Sequence, residues 1–205
     1  MTTSQKGNVF IISAASGTGK TTLVTRLVNH NDNIRVSISH TTRAPRENEQ
    51  HGKHYYFVTR EQFSSLIEQS AFLEHAEVFG NFYGTSSAAL TEMCEQGYDV
   101  ILEIDVQGAE QVRKAMPEAI SIFILPPSMA VLEERLRNRQ TDSKEVIARR
   151  LREAEQEIQH AFAFDYIVTN RDLVQAESDL LHIFKASRLN LANQRTAVKK
   201  VLQNQ

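Results

Sequence analysis

Ala14-Ala15-Ser16-Gly17-Thr18-Gly19-Lys20-Thr21 stands between two dissimilar neighbours. Before it, Val9-Phe10-Ile11-Ile12 is a continuous apolar run, the pattern of a strand buried on both faces. After it, Leu23 with Leu27 and Val24 with Val28 recur at helical spacing. A phosphate-binding loop needs small residues, so that consecutive backbone N–H groups can turn inward onto phosphate oxygens. It also needs a lysine for the β and γ phosphates and a Ser or Thr hydroxyl for magnesium. Its place is between a buried strand and a helix N-terminus, where the helix dipole favours anions. All three requirements are met, with Ala14 standing where the strict pattern has glycine. A fortuitous glycine-rich turn is the weaker reading, because it does not call for Gly19-Lys20-Thr21 at the head of a helix.

Working outward, Val100-Ile101-Leu102-Glu103-Ile104-Asp105, Ser121-Ile122-Phe123-Ile124-Leu125 and Tyr166-Ile167-Val168-Thr169 read as further strands, the second stopped by Pro126-Pro127. Helical stretches lie between them, so the β-α-β alternation predicts a parallel sheet in an α/β layer. Residues 37–89 break the alternation. Val36-Ser37-Ile38-Ser39, Tyr55-Tyr56-Phe57-Val58 and Ala76-Glu77-Val78-Phe79 are strand-like around one short helix, which Thr59 and Gln62 open as a capping box. Ser86 caps the next helix, ended by Gly97. A second departure, 132–161, carries Arg135, Arg137 and Arg139, a polar breaker, then a helix opened by Asp142 and Glu145 and bearing Arg149, Arg150 and Arg152. Leu180, Leu181, Phe184 and Leu189 predict a C-terminal amphipathic helix, and the tail after Asn193 is expected to fray.

The chain has 205 residues, a long single domain or a short pair by length alone, and enough to bury about 70% of its unfolded surface. Hydrophobic residues at 41% and charged ones at 23% exclude wholesale disorder. A net charge of −2 argues against a dedicated nucleic-acid binder. Cys94 stands alone, which excludes an intrachain disulfide framework and a cysteine-based zinc site. The longest apolar stretch near the N-terminus is too short for a signal-peptide core or a membrane span, so the expected setting is soluble and cytoplasmic.

Glu103 and Asp105 alternate along one strand and share a face, so both can project at a phosphate site and hold magnesium or its water shell. Arg43 and Arg46, three apart on a loop with Pro45, can grip a phosphate bidentately, with a hydroxyl and a tyrosine nearby to complete the pocket. By composition alone that loop is as readily a solvated surface. His51 with His54, or Glu74 with His75, lack a third ligand in register and read as surface polar residues. The arginine clusters at 135–139 and 149–152 are interleaved with Glu133, Glu134, Glu145 and Glu153, which suits a solvated face or arginines aimed at one small anion better than a nucleic-acid patch.

Over residues 7–189 the chain resembles the guanylate kinases. The specific markers are Ser39-His40-Thr41-Thr42-Arg43-Ala44-Pro45-Arg46 with Tyr55, Phe72-Leu73-Glu74, Gly80-Asn81-Phe82-Tyr83-Gly84-Thr85, and Glu103-Ile104-Asp105-Val106-Gln107-Gly108. The resemblance implies an α/β fold: a P-loop parallel sheet flanked by helices, with an inserted α+β GMP-binding region and a helical lid. It assigns 7–36, 90–131 and 162–189 to the core, 37–89 to the GMP-binding region, 132–161 to the lid and 190–205 to a tail. It implies that Ser39, Arg43, Arg46, Tyr55 and Tyr83 hold the GMP phosphate, and that Glu74, Thr85 and Asp105, with Gly84 beside them, read guanine. Lys20 and the loop from Ala14 through Ala15, Ser16, Gly17, Thr18 and Gly19 to Thr21 and Thr22 would bind ATP, with Asn170 near the adenine. Thr21 would meet Mg2+, with Glu103 or Asp105 acting through water, and the catalytic cations would be Lys20, Arg43, Arg135, Arg139 and Arg150.

The implied reaction is ATP-dependent phosphorylation of GMP, and of dGMP, with magnesium; the implied partners are ATP and GMP, without nucleic acid or membrane, and a homo-oligomer is left open. Two departures stand out: Glu103 where the family commonly has aspartate, and Ala14-Ala15 where Gly-Pro is frequent. The alternative is a catalytically inactive guanylate-kinase-like module that binds protein. Such modules would be expected to lose the loop lysine or the lid arginines, and this chain keeps both.

Overall fold

A computed structural model of the chain describes residues 6–78, 80–138 and 143–203. Five strands form the main sheet: β1 (Val9–Ala14), β2 (Ile34–Val36), β7 (Asp99–Glu103), β8 (Ile120–Leu125) and β9 (Tyr166–Thr169). Their order is β2-β7-β1-β8-β9, and every pairing is parallel. The central strand β1 is buried on both faces because helices cover both. On one face Phe10 and Ile12 meet Leu23, Val24 and Leu27 of α1 (Lys20–Asn29) and Ala176, Leu180 and Phe184 of α7 (Leu173–Arg188). The rings of Phe10 and Phe184 stack at 3.6 Å between centroids. On the other face Val9 and Ile11 meet Leu90 and Cys94 of α3 (Ser87–Glu95) and Ala109 and Val112 of α4 (Val106–Ala115).

A second sheet stands beside the first. Its strands are β3 (His40–Thr41), β4 (Tyr56–Phe57), β5 (Phe72–Val78) and β6 (Asn81–Ser86), in the order β4-β3-β6-β5. The helix α2 (Arg60–Glu68) begins at the Thr59–Gln62 capping box and seats Phe63 against Phe72 and Phe82. Gln111 of α4 exchanges hydrogen bonds with the backbone of His75 on β5, tying this sheet to the core. Then α5 (Met129–Asn138) and α6 (Lys144–Gln159) pack together through Leu132, Leu136, Ile147 and Ala154, and Ala15 of the glycine-rich loop joins that cluster.

Four expectations need correction. Residues 36–39 are not one strand: Ile34–Val36 joins the main sheet as an edge, and the chain then crosses to β3. The strand expected over 76–79 begins at Phe72, and its partner β6 covers a stretch where no strand is expected; Phe79 lies outside the described residues. The α6 cap is Ser143, whose hydroxyl accepts the Val146 N–H, while the expected cap Asp142 lies outside the described residues. The tail expected to fray after Asn193 is helix α8 (Leu191–Gln203), joined to the body by the Asn193 amide, which donates to Asn8 Oδ1 and to the Ser187 carbonyl.

Candidate active site

The loop after β1 adopts the shape that its glycines permit. Gly17 and Gly19 take φ of 91° and 94°, the left-handed region in which a side chain is strained. The Thr18 hydroxyl donates to the Ala15 carbonyl at 2.9 Å. The Thr18 carbonyl in turn accepts from the Asn170 amide at 2.8 Å and from Arg135 at 3.1 Å. Arg135 also donates to the Asn170 carbonyl at 2.9 Å. The loop is therefore braced by the residue after β9 and by α5, while the Thr18 N–H returns to the Ala15 carbonyl at 3.3 Å and the Ser16 N–H donates to Glu157 of α6.

Lys20 opens α1, and its ammonium lies 3.9 Å from Glu103 and 3.4 Å from the Ile104 carbonyl. Burial lowers its pKa below the ordinary lysine value, opposed by the charges of Glu103 and Asp105. The Thr21 hydroxyl donates to Glu103 at 2.6 Å. These two hard oxygen donors at the loop suit a largely hydrated divalent ion that takes its other ligands from phosphates. Among the described residues no group of three or more His, Cys, Asp and Glu side chains could hold a metal without such help. Asp105 points elsewhere: it caps α4, accepting the Gly108 N–H at 2.8 Å.

Across from the loop, a cavity of about 520 Å3 runs from Lys20 and Thr21 to Arg43, Arg46, Tyr55 and Tyr83. Arg43 forks onto both Glu49 oxygens at 2.8 and 2.9 Å, and its guanidinium lies 5.4 Å over the Tyr55 ring. The Glu49 bond raises the pKa of Arg43, and the same bond lowers that of Glu49. Arg46 is exposed at this rim, and its backbone N–H also donates to Glu49. His51 and His54 serve the loop itself, each accepting a backbone N–H on Nδ1.

A second cavity of about 400 Å3 adjoins Ser16, Lys20, Ser39, Tyr83, Glu74 and Asp105. Glu74 is 4% exposed. Desolvation pushes its carboxyl up to about 7; the Thr85 hydroxyl, donating at 2.6 Å, opposes this, and the charge of Asp105 adds to it. A carboxylate pair of this kind, buried Glu74 and half-buried Asp105 in the wall of one cavity, can accept from a ligand edge that presents adjacent donors. Gly84 lies under Phe63 and Phe72, outside the lining of either cavity.

A third cavity of about 500 Å3 opens on Gly17, Gly19, Thr22, Arg135 and Asn170. The Asn170 side chain is buried against the Thr18 carbonyl, so what the cavity offers there is its rim. Arg150 is half-buried on α6, and Arg139 lies outside the described residues. The sequence reading missed the Arg43–Glu49 pair and Ser37. Ser37 is 5% exposed in the wall of the 520 Å3 cavity, and its hydroxyl has no hydrogen-bond partner among the described residues. The signal for the pair was available, since an acid six residues after Arg43 on a Pro-containing loop is within reach of it.

The guanylate kinase family model matches residues 6–187. The chain is 59% identical over 204 residues to a guanylate kinase of Neisseria gonorrhoeae, covering 100% of both chains. It is 53% identical over 200 residues to one from Pseudomonas fluorescens, covering 98% of this chain and 97% of the relative. The crystal structure of guanylate kinase from Anaplasma phagocytophilum superposes with a TM-score of 0.76 at 36% identity, over 92% of this chain and 90% of that one.

Proposed function

The chain belongs to the guanylate kinase family and phosphorylates GMP at the expense of ATP, and from that premise we propose which of its residues carry the reaction. The observation that supports the assignment best is that one cavity is lined both by Ser16 and Lys20 of the phosphate loop and by Glu74, Asp105 and Tyr83. Guanine offers N1–H and a 2-amino group side by side, and two carboxylates match that edge where adenine presents none of it. Arg43, Arg46, Tyr55 and Tyr83, with Ser39, hold the GMP phosphate. ATP lies on the loop from Ala14 to Thr22, its phosphates on the backbone amides and Lys20.

In the transfer a GMP phosphate oxygen bonds to the γ-phosphorus as the bond to the β-bridging oxygen breaks, and ADP leaves with that electron pair. The GMP phosphate is already anionic, so no strong general base is needed. Positioning and charge neutralisation supply most of the rate. Thr21, with Glu103 acting through water, would hold magnesium; when bound, the ion neutralises charge on the β and γ phosphates. Arg135, Arg139 and Arg150 add positive charge from the lid, 132–161, while 37–89 forms the GMP-binding region around the remaining core. The lone thiol Cys94, buried in that core, fits a reducing cytoplasmic setting.

In this reading Arg43 leaves Glu49 for the GMP phosphate. Arg43→Ala is expected to raise KM for GMP by about tenfold or more, because a hydrogen bond to a charged group contributes about 1.5–3 kcal/mol. KM for ATP should stay unchanged. Steady-state kinetics with each substrate varied check this, and an equal rise in both KM values would contradict the assignment.

A further inference from the structure

Gly108 is the third residue of α4, a position where most side chains are accepted and glycine is a poor helix former. It is buried, and its backbone is helical, so alanine meets no conformational obstacle there. Its N–H donates to Asp105 Oδ1 at 2.8 Å, but any residue except proline would supply that donor. What glycine alone supplies is space. A Cβ at this position would lie 2.7 Å from Glu74 Oε2, 3.3 Å from Glu74 Cδ and 3.4 Å from Asp105 Oδ1. The nearest neighbours of the missing methyl group are thus the two carboxylates assigned to guanine.

We infer that Gly108 is a positioning residue: its bare Cα keeps the Glu74 carboxylate in its guanine-reading place, and any side chain there displaces that carboxylate and weakens GMP binding. Two observations decide which partner would yield. The helix is fixed, because the Ala109 N–H bonds to the Asp105 carbonyl at 2.9 Å and Gln111 is tied to β5. The Glu74 carboxylate is the far end of a flexible side chain, held among the described residues only by Thr85 through its hydroxyl on Oε1 and its backbone N–H, so it is the group that turns aside. The local sequence therefore gives up helix propensity at residue 108 for the sake of a residue 34 positions earlier on another element. A glycine kept only for folding would have no reason to face these particular atoms.

The inference rests on Glu74 reading guanine, and the test separates the two. Gly108→Ala, Glu74→Gln, Glu74→Asp and the double variant Gly108→Ala/Glu74→Asp are assayed for KM with GMP, KM with ATP, kcat and thermal midpoint. Gly108→Ala is expected to raise KM for GMP about tenfold, on the scale of one displaced charged hydrogen bond. KM for ATP should stay within about twofold and the thermal midpoint at or above wild type, since only substrate binding is touched. Glu74→Asp draws the carboxylate back by one methylene and out of the new methyl group's way. It should weaken GMP use alone yet improve it in the Gly108→Ala background, a coupling that a double-mutant cycle reads directly. If Glu74→Gln is impaired with GMP while Gly108→Ala is normal, the inference is overturned and the reading of Glu74 stands. A Gly108→Ala enzyme that loses stability and affinity for both nucleotides alike overturns it too. If Glu74→Gln uses GMP normally, the guanine-reading role falls, and this inference with it.

Discussion

Replacing Lys20 with alanine is expected to lower kcat by about a thousandfold or more, while GMP affinity by calorimetry stays within about threefold of wild type. Lys20 is the first residue of α1, at the end of a loop whose shape depends on Gly17 and Gly19. Its ammonium is half-buried beside Glu103 and the Ile104 carbonyl, so in the free enzyme it already has acceptors and a fixed direction. A preorganised cation in a site of low polarity acts on developing phosphate charge without reorganising at the moment of transfer. Alanine removes the charge and leaves Glu103 beside the ATP phosphates uncompensated. The proposed GMP-binding set stands mainly on the loop between β3 and β4 and on β5 and β6, apart from the phosphate loop, so it should survive. A folded variant with GMP affinity reduced as much as turnover would refute this division of labour.

Glu74→Gln should reduce kcat/KM for GMP by about a hundredfold, because an amide accepts from only one of guanine's two donors and turns its own donor toward the other. The effect has a pH signature. With the carboxyl pushed up to about 7, only the ionised fraction of the free enzyme can accept both donors. Apparent GMP affinity should therefore rise about tenfold between pH 6 and 8. Ionisation of the GMP phosphate near pH 6 contributes as well, and the Gln variant, which retains only that part, isolates Glu74. Stability runs the opposite way. The folded pKa lies above the ordinary value, so the favourable contribution is complete below pH 4.5 and lost as the pH rises through about 7. Between those limits the free wild type should lose about 3 kcal/mol relative to the Gln variant, read from denaturant midpoints at pH 5 and 8. A flat difference would contradict the burial argument.

The sequence carries the main sheet and its loop because their signals are local and strong. Val9 to Ile12 is buried on both faces and therefore uniformly apolar, and the loop's glycines and lysine sit in a fixed order. The edge strand Ile34–Val36 is hard to see, because three residues with only Ile34 fully buried leave no alternation to detect. Strand β6 is hidden for another reason: Asn81 and Gly84 read as turn residues, and only pairing with β5 and β3 makes them strand. The helix at 191–203 lacks any buried residue, so its sequence shows no core-facing stripe. At the site, the residue types were legible and their engagements were not. Asp105 reads as a magnesium or guanine carboxylate, yet it also caps α4. Asn170 reads as an adenine contact, yet its amide braces Thr18. The space that Gly108 leaves for Glu74 cannot be read from a chain in which the two are 34 residues apart, because it is set by how α4 docks on β5.

ADP release from ATP and magnesium, measured against GMP, dGMP, AMP, CMP and UMP in turn, tests the account most directly. Guanine-edge recognition by Glu74 and Asp105 predicts that kcat/KM for GMP exceeds that for AMP by at least about a thousandfold, since a site built for particular donors leaves its own polar groups unpaired with the wrong base. Comparable turnover of AMP, or ADP release at the same rate with no acceptor present, would contradict it.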